Sequence, residues 1–286
     1  MTPPATPHPT LPVGPTSGRR WRGRATRPAA LALAAAVLVL AGALAAFGPR
    51  AALAAFVAGR GGPDVIIGPD NDNPANPLIQ PPGTAANQSL NNTDIQRGGG
   101  GNDVLIGLLG SDVQLGEGGD DILVGGTEQF VTPNSDIQFG GPGDDVSLWA
   151  PGDGSDFFEG GPGRDAQVFG VIDRDASNVP TLTGRAPGFP RGIPTANVTG
   201  SPGFCTLVEV PADSGLGYEF LVRFFVRATG ALAVTIRLVD VEQVFCTSQA
   251  GGQVIFADLR RAHPQFEAVS LDQVEHLNPL VRRIIR

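Results

Sequence analysis

The sequence predicts an all-β chain: a stacked β-solenoid, then a small antiparallel β domain with a helix at its C-terminal end. Two observations carry this. Residues 98–124 read as three nine-residue lines, GGGGNDVLI, GLLGSDVQL and GEGGDDILV, each with Gly first, Asp sixth and aliphatic residues last. A fixed period of glycines, a carboxylate and a short apolar run marks lines that stack into a solenoid. Beyond residue 204 the period gives way to longer β-type runs separated by turn residues.

The register reaches beyond those lines. Residues 59–67 (GRGGPDVII), 140–148 (GGPGDDVSL) and 160–168 (GGPGRDAQV) fit it, and 151–159 (PGDGSDFFE) fits loosely. Residues 89–97 (SLNNTDIQR) and 131–139 (VTPNSDIQF) keep only the Asp and the strand after it. Aligned on the Asp, the lines fall into two alternating series. Asp64, Asp103, Asp121, Asp145 and Asp165 follow Gly-rich turns. Asp94, Asp112, Asp136 and Asp156 follow Gly-poor or interrupted turns, and the insertions at 69–90, 125–134 and 149–150 all precede an Asp of this second series. If two lines make one coil, each series stacks along its own edge. One edge is regular, and the other carries the loops.

Gly serves where the chain turns with φ > 0 or where a carbonyl must point inward unobstructed. Asp supplies a hard anionic oxygen. Carbonyls with carboxylates and no soft ligand suit Ca²⁺, which takes roughly 6–8 oxygens, more than one turn supplies. Stacked neighbours on one edge are therefore expected to share ions, in the pairs Asp64/Asp103, Asp103/Asp121, Asp121/Asp145 and Asp145/Asp165. The trios Val104-Leu105-Ile106 and Ile122-Leu123-Val124 are short strands that bury surface only when lines stack about 4.8 Å apart.

Residues 59–169 resemble the hemolysin-type (RTX) calcium-binding repeats, whose signature is G-G-x-G-x-D-x-U-x with U a large apolar residue. Residues 98–106 match every fixed position. The resemblance implies a parallel β-roll with structural Ca²⁺ held by Asp side chains and turn carbonyls of neighbouring coils. It implies Asp103, Asp121, Asp145 and Asp165, with Asp64 behind the insertion, as side-chain ligands. The carbonyls of Gly98, Gly100, Gly116, Gly118, Gly140 and Gly160 are the backbone candidates. Asp94, Asp112, Asp136 and Asp156, lacking most turn glycines, are the weaker candidates. In two strands of the second series Gln114 and Gln138 take the position expected to face inward; either those strands present their flanking apolar residues instead, or the Gln bonds within the roll, and the insertion-bearing edge with Gln96, Gln114 and Gln138 is the place for a partner surface.

Charge divides the chain. Residues 1–58 hold six Arg and no acid, residues 59–169 hold 17 acids and three Arg, and residues 170–286 hold 11 of each. Acids concentrated in the repeat repel one another without a cation, and they exclude nucleic acid as a partner. Residues 1–28 read as a disordered basic leader. Residues 29–47 are uncharged and follow Arg19, Arg20, Arg22, Arg24 and Arg27. Residues 29–54 thus read as a signal peptide or a membrane anchor. Either places the rest outside the cytoplasm, extracellular or at the cell surface, where Cys205 and Cys246, the two cysteines, form a disulfide.

Residues 170–203 read as a linker or irregular wrap, and 204–286 as the β domain, with a hairpin at Ala228-Thr229-Gly230 and a helical tail over 271–286 that Pro279 interrupts. There is no HExxH, GxSxG or GxxxxGK[ST] motif, and no Lys. His263 reads as a surface loop residue. The expected function is an exported calcium-binding protein, a structural, adhesive or surface-interaction module with a cell-surface or carbohydrate partner. The alternative is a secreted hydrolase with an active site in residues 170–286.

Overall fold

The short apolar trios form strands because each is flanked by Gly-rich turns and has a like strand to pair with one coil away. The computed structural model describes residues 55–68, 94–108, 110–126, 135–176 and 179–286. The expected leader, signal or anchor, and the insertion at 69–90 lie outside these residues. In chain order the repeat contributes β1 (Ala55–Ala58), β2 (Val65–Ile67), β3 (Asp94–Gly100), β4 (Val104–Leu108), β5 (Val113–Gly118), β6 (Ile122–Gly126), β7 (Ile137–Phe139), β8 (Val146–Trp149), β9 (Phe157–Glu159) and β10 (Ala166–Phe169). Odd strands pair in parallel in the order β1-β3-β5-β7-β9, and even strands in the order β10-β8-β6-β4-β2. Two consecutive lines thus make one coil, and the two Asp series lie in different sheets.

The middle residue of each strand trio faces the space between the sheets. On one side stand Gln96, Gln114, Gln138 and Phe158 in register. On the other stand Leu105, Leu123, Ser147 and Gln167. The three leading glutamines are buried to 0–1 % exposure, so they do not form a partner surface. Gln114 Nε2 donates to Gln96 Oε1, and Gln138 Nε2 to Gln114 Oε1, both at 2.8 Å. Gln96 Nε2 also donates across the gap to the Ile106 carbonyl at 2.8 Å, and Ser147 Oγ to Gln138 Oε1 at 2.6 Å. An amide inside a coil is tolerated because the same amide one coil away satisfies it.

The even strands β4, β6, β8 and β10 are buried on both faces, as parallel strands usually are. Their outward residues Val104, Ile106, Ile122, Val124, Val146 and Val168 pack against Ile172, Phe189, Ile193 and Val198 and against Leu280, Val281 and Ile284 of the tail. Residues 170–203 are therefore a wrap rather than a linker. Among the described residues their strands are β11 (Val171–Ile172) and β12 (Ala196–Asn197), paired antiparallel, before β13 begins at Gly203.

The later strands are β13 (Gly203–Glu209), β14 (Phe220–Val226), β15 (Leu232–Val239), β16 (Gln243–Thr247), β17 (Val254–Asp258) and β18 (Glu267–Ala268). They form no sheet of their own. β15 adds in parallel to β9, and β16 in parallel to β10. β14 and β13 then continue the first sheet antiparallel, and β17 and β18 the second. The expected separate β domain is thus the end of the stack. The reason is physical: β9 and β10 would otherwise leave two rows of backbone groups unpaired. Trp149, Phe169 and Phe224 pack at this junction, with centroid separations of 4.6–6.0 Å. The tail is helical only at Leu271–Gln273 (a 3₁₀ turn) and Val281–Ile284, one turn each, with Pro279 between them.

Cys205 on β13 and Cys246 on β16 form the expected disulfide, with Cα atoms 6.1 Å apart. It links one sheet to the other. Closing 41 residues constrains the unfolded chain by about 4 kcal/mol in the chain-entropy model. Reduction is therefore expected to lower unfolding stability by about that amount, read as a shift in the urea midpoint with and without reductant.

Candidate metal centre

Each Asp of the Gly-rich series sits where its turn enters an even strand, stacked on its counterparts. Asp103 Oδ1 accepts the Asp64 N–H, Asp121 Oδ1 that of Asp103, and Asp145 Oδ1 that of Asp121, each at 2.7 Å. Asp165 Oδ1 accepts the Asp145 N–H at 2.9 Å. All four expected pairs are stacked neighbours. One carboxylate oxygen per residue is spent on this ladder. The other, Oδ2 of Asp103, Asp121 and Asp145, is buried and has no hydrogen-bond donor.

These Oδ2 atoms lie beside carbonyls. A methyl group at Gly116 would collide with Asp121 Oδ2 and would lie 2.6 Å from the Gly140 carbonyl. The same point at Gly98 meets Asp103 Oδ2 and the Gly116 carbonyl, and at Gly140 it meets Asp145 Oδ2 and the Gly160 carbonyl. Glycine at the first position therefore leaves room for a carboxylate oxygen of its own line and a carbonyl of the next coil. Gly116→Ala is expected to destabilise the protein by about 1–3 kcal/mol. Gly61→Ala, whose added methyl would meet nothing within 4 Å, is expected to be near neutral. Thermal melts of the two variants check this. Of the other backbone candidates, Gly118 already accepts the Gly101 N–H at 2.8 Å, and Gly100 ends β3 opposite Gly118.

Burial dominates the electrostatics of this row. It pushes Asp103 up to about 6 despite the bond from the Asp64 N–H, with Asp64 and Glu117 adding repulsion. It pushes Asp121 up to about 7, with Asp103, Asp120 and Glu117 adding repulsion. It pushes Asp145 up to about 10, with Asp121 and Asp165 adding most of the rest. A parallel ladder runs outside it: Asp120 N–H to Asn102 Oδ1, Asp144 N–H to Asp120 Oδ1, and Arg164 N–H to Asp144 Oδ1. Its acids add negative potential, which Arg164 meets at one end through an ion pair of 2.6 Å to Asp144.

The second series is better built than its turns imply. Asp112 Oδ1 accepts the Asp94 N–H at 2.7 Å, Asp136 Oδ1 that of Asp112 at 2.7 Å, and Asp156 Oδ1 that of Asp136 at 2.9 Å. First-position glycines are present too: Gly68, Gly107 and Gly125 face the Oδ2 atoms of Asp94, Asp112 and Asp136. Gly68 and Gly125 stand 26 and 11 residues before Asp94 and Asp136 instead of five, so counting back along a nine-residue line from the Asp misses that Gly. The row changes only at its last turn, where the residue after the strand trio is Trp149 instead of Gly and Asp153 appears. Carboxylate oxygens of Asp136, Asp153 and Asp156 all lie within 4.8 Å of one another and are buried. Burial pushes Asp153 up to about 6, against bonds from the Gly126 and Gly154 N–H groups and the nearby Arg174. It pushes Asp156 well up, helped by Asp153 and opposed by Arg237.

The sequence pattern missed three contributors. Asp153 was readable only as a second Asp in PGDGSD. Glu242 ends the Gly-rich row by accepting the Asp165 N–H at 2.8 Å, and the Asp240 carbonyl takes the place beside Gly160 that repeat carbonyls take elsewhere. Neither lies in a Gly-rich line, so no periodic signal marks them. His263 is exposed, 3.7 Å from Glu209, and takes no part.

The donor set fits a hard divalent cation: carboxylate oxygens without donors, beside carbonyls, with no sulfur or imidazole. No protein-family model matches the chain, and neither a curated protein nor a solved structure matches it.

Proposed function

We propose that this chain is an exported calcium-binding protein whose stack is a β-roll of the hemolysin-type (RTX) kind, stabilised by a row of structural Ca²⁺ ions. The observation that carries the reading is the set of buried, donor-free Oδ2 atoms of Asp103, Asp121 and Asp145, each beside a glycine carbonyl of the next coil. A buried carboxylate without a counter-charge is costly, and either a proton or a cation relieves it. At neutral pH in calcium-rich surroundings, the cation serves. The disulfide fits an oxidising compartment. In this reading the protein is a structural or adhesive module, and residues 170–286 cover and end the stack. Calorimetric titration of calcium into the chelator-treated protein, with circular dichroism alongside, tests this. Saturable binding in the millimolar range or tighter, with a gain of β signal, is expected; no binding overturns the proposal.

A further inference from the structure

The tail reaches back to the Gly-rich row through one side chain. Asn278 is fully buried. Its Nδ2 donates to the Asp145 carbonyl at 3.0 Å and to the Arg164 carbonyl at 2.5 Å. Arg164 immediately precedes Asp165. One amide therefore bridges the two neighbouring coils that carry Asp145 and Asp165, 133 and 114 residues away from its two acceptors. Its other polar groups are used as well. The Asn278 N–H donates to Gln243 Oε1 at 2.9 Å, and Asn278 Oδ1 accepts the Leu280 N–H at 2.8 Å. Gln243 Nε2 donates to the His276 carbonyl at 2.8 Å, and Gln243 directly follows Glu242, the last rung of the ladder.

Apolar packing by Leu280, Val281 and Ile284 already docks the tail on the even sheet. A buried amide adds nothing to that packing and costs free energy unless every bond is made. What it does add is a fixed spacing between two turns. Asp145 Oδ2 and the Gly160 carbonyl face each other across that same pair of coils. Groups that hold metal ligands in place are typically worth about 10–100-fold in metal affinity.

We infer that Asn278 is a positioning residue for the cation row: it clamps the coils of Asp145 and Asp165 at the spacing an ion shared between them requires. Through this one amide, and not through its apolar docking, the tail supports the metal centre. This rests on the calcium reading above.

The test starts from the full chain loaded with calcium, so that the fold is present, and follows calcium release into excess chelator by stopped flow. Asn278→Ala is expected to release the ions nearest Asp145 about tenfold faster, a size typical of losing a group that holds metal ligands in place, while the remaining ions leave at the wild-type rate. Ile284→Ala, which loosens the tail without touching the clamp, is expected to lower the melting temperature equally in calcium and in chelator and to leave release unchanged. Gln243→Ala keeps the amide but frees its loop, and serves if Asn278→Ala does not fold; a smaller acceleration of the same phase is expected. Release traces of the clamp variants that overlay wild type overturn the inference, as does equal acceleration by Ile284→Ala. A wild-type protein that binds no calcium fails the proposed function instead.

Discussion

Moved from millimolar calcium into EDTA at pH 8, the protein is expected to lose most of its folding stability. The stacked pairs Asp64/Asp103 and Asp103/Asp121 bring like charges together at this pH, and the Oδ2 atoms of Asp103, Asp121 and Asp145 lack donors. An ion held at about 10⁻⁴ M stabilises the fold by about 1.4 kcal/mol at ~1 mM calcium. Several such ions together reach about 5 kcal/mol, the scale of a whole domain's stability. Removing them also restores the repulsion. Differential scanning calorimetry in calcium and in EDTA measures the gap. Asp121→Asn sharpens the test, because it keeps the shape but removes the charge at the middle of the row. It is expected to raise the melting temperature in EDTA and to lower the gain from calcium. A variant that melts lower by the same amount in both conditions would show Asp121 to be a packing residue only.

The second large effect is a reversal of pH dependence. In the metal-free fold Asp103, Asp121 and Asp145 titrate near 6, 7 and 10, against an ordinary value of 3.8. Between 3.8 and those values the folded chain holds protons that the unfolded chain has released. That stabilisation is complete below 3.8 and is lost as pH rises through 6 and 7 and beyond. Asp153, near 6, adds to the same trend. The chelator-treated protein is therefore expected to melt higher at pH 5 than at pH 8. With calcium the order inverts, because the ion displaces those protons and binds more tightly as they leave. Each pH unit of separation is worth about 1.4 kcal/mol, so melting curves at pH 5, 6.5 and 8 resolve the crossing. Parallel slopes with and without calcium would refute the carboxylate row as the site.

Much of the fold was legible in the sequence because stacking writes itself as a period. The two Asp series alternate line by line, and the structure puts them in different sheets for that reason. The trios after each Asp are strands, and the paired cysteines are bonded. Two features stay ambiguous in the sequence. Gln96, Gln114 and Gln138 suit either a partner surface or bonds within the roll; they are interior because a stack supplies each with an identical neighbour. The second series looks poor in turn glycines because Gly68 and Gly125 lie far in sequence from Asp94 and Asp136, although each stands beside that carboxylate.

The sequence by itself determined the repeat, its division into two series, the acidic row and the chemistry that row favours. These follow from local rules of residue type and spacing, repeated often enough to be read without coordinates. Only the tertiary structure decided how the stack ends and what covers it. The strands after residue 203 pair with β9 and β10 to satisfy open edges, Glu242 takes the place of a repeat aspartate, and Asn278 closes on two turns more than a hundred residues away. Such contacts arise from burial and unpaired backbone groups at one end of a finite stack. They occur once each, so no period announces them.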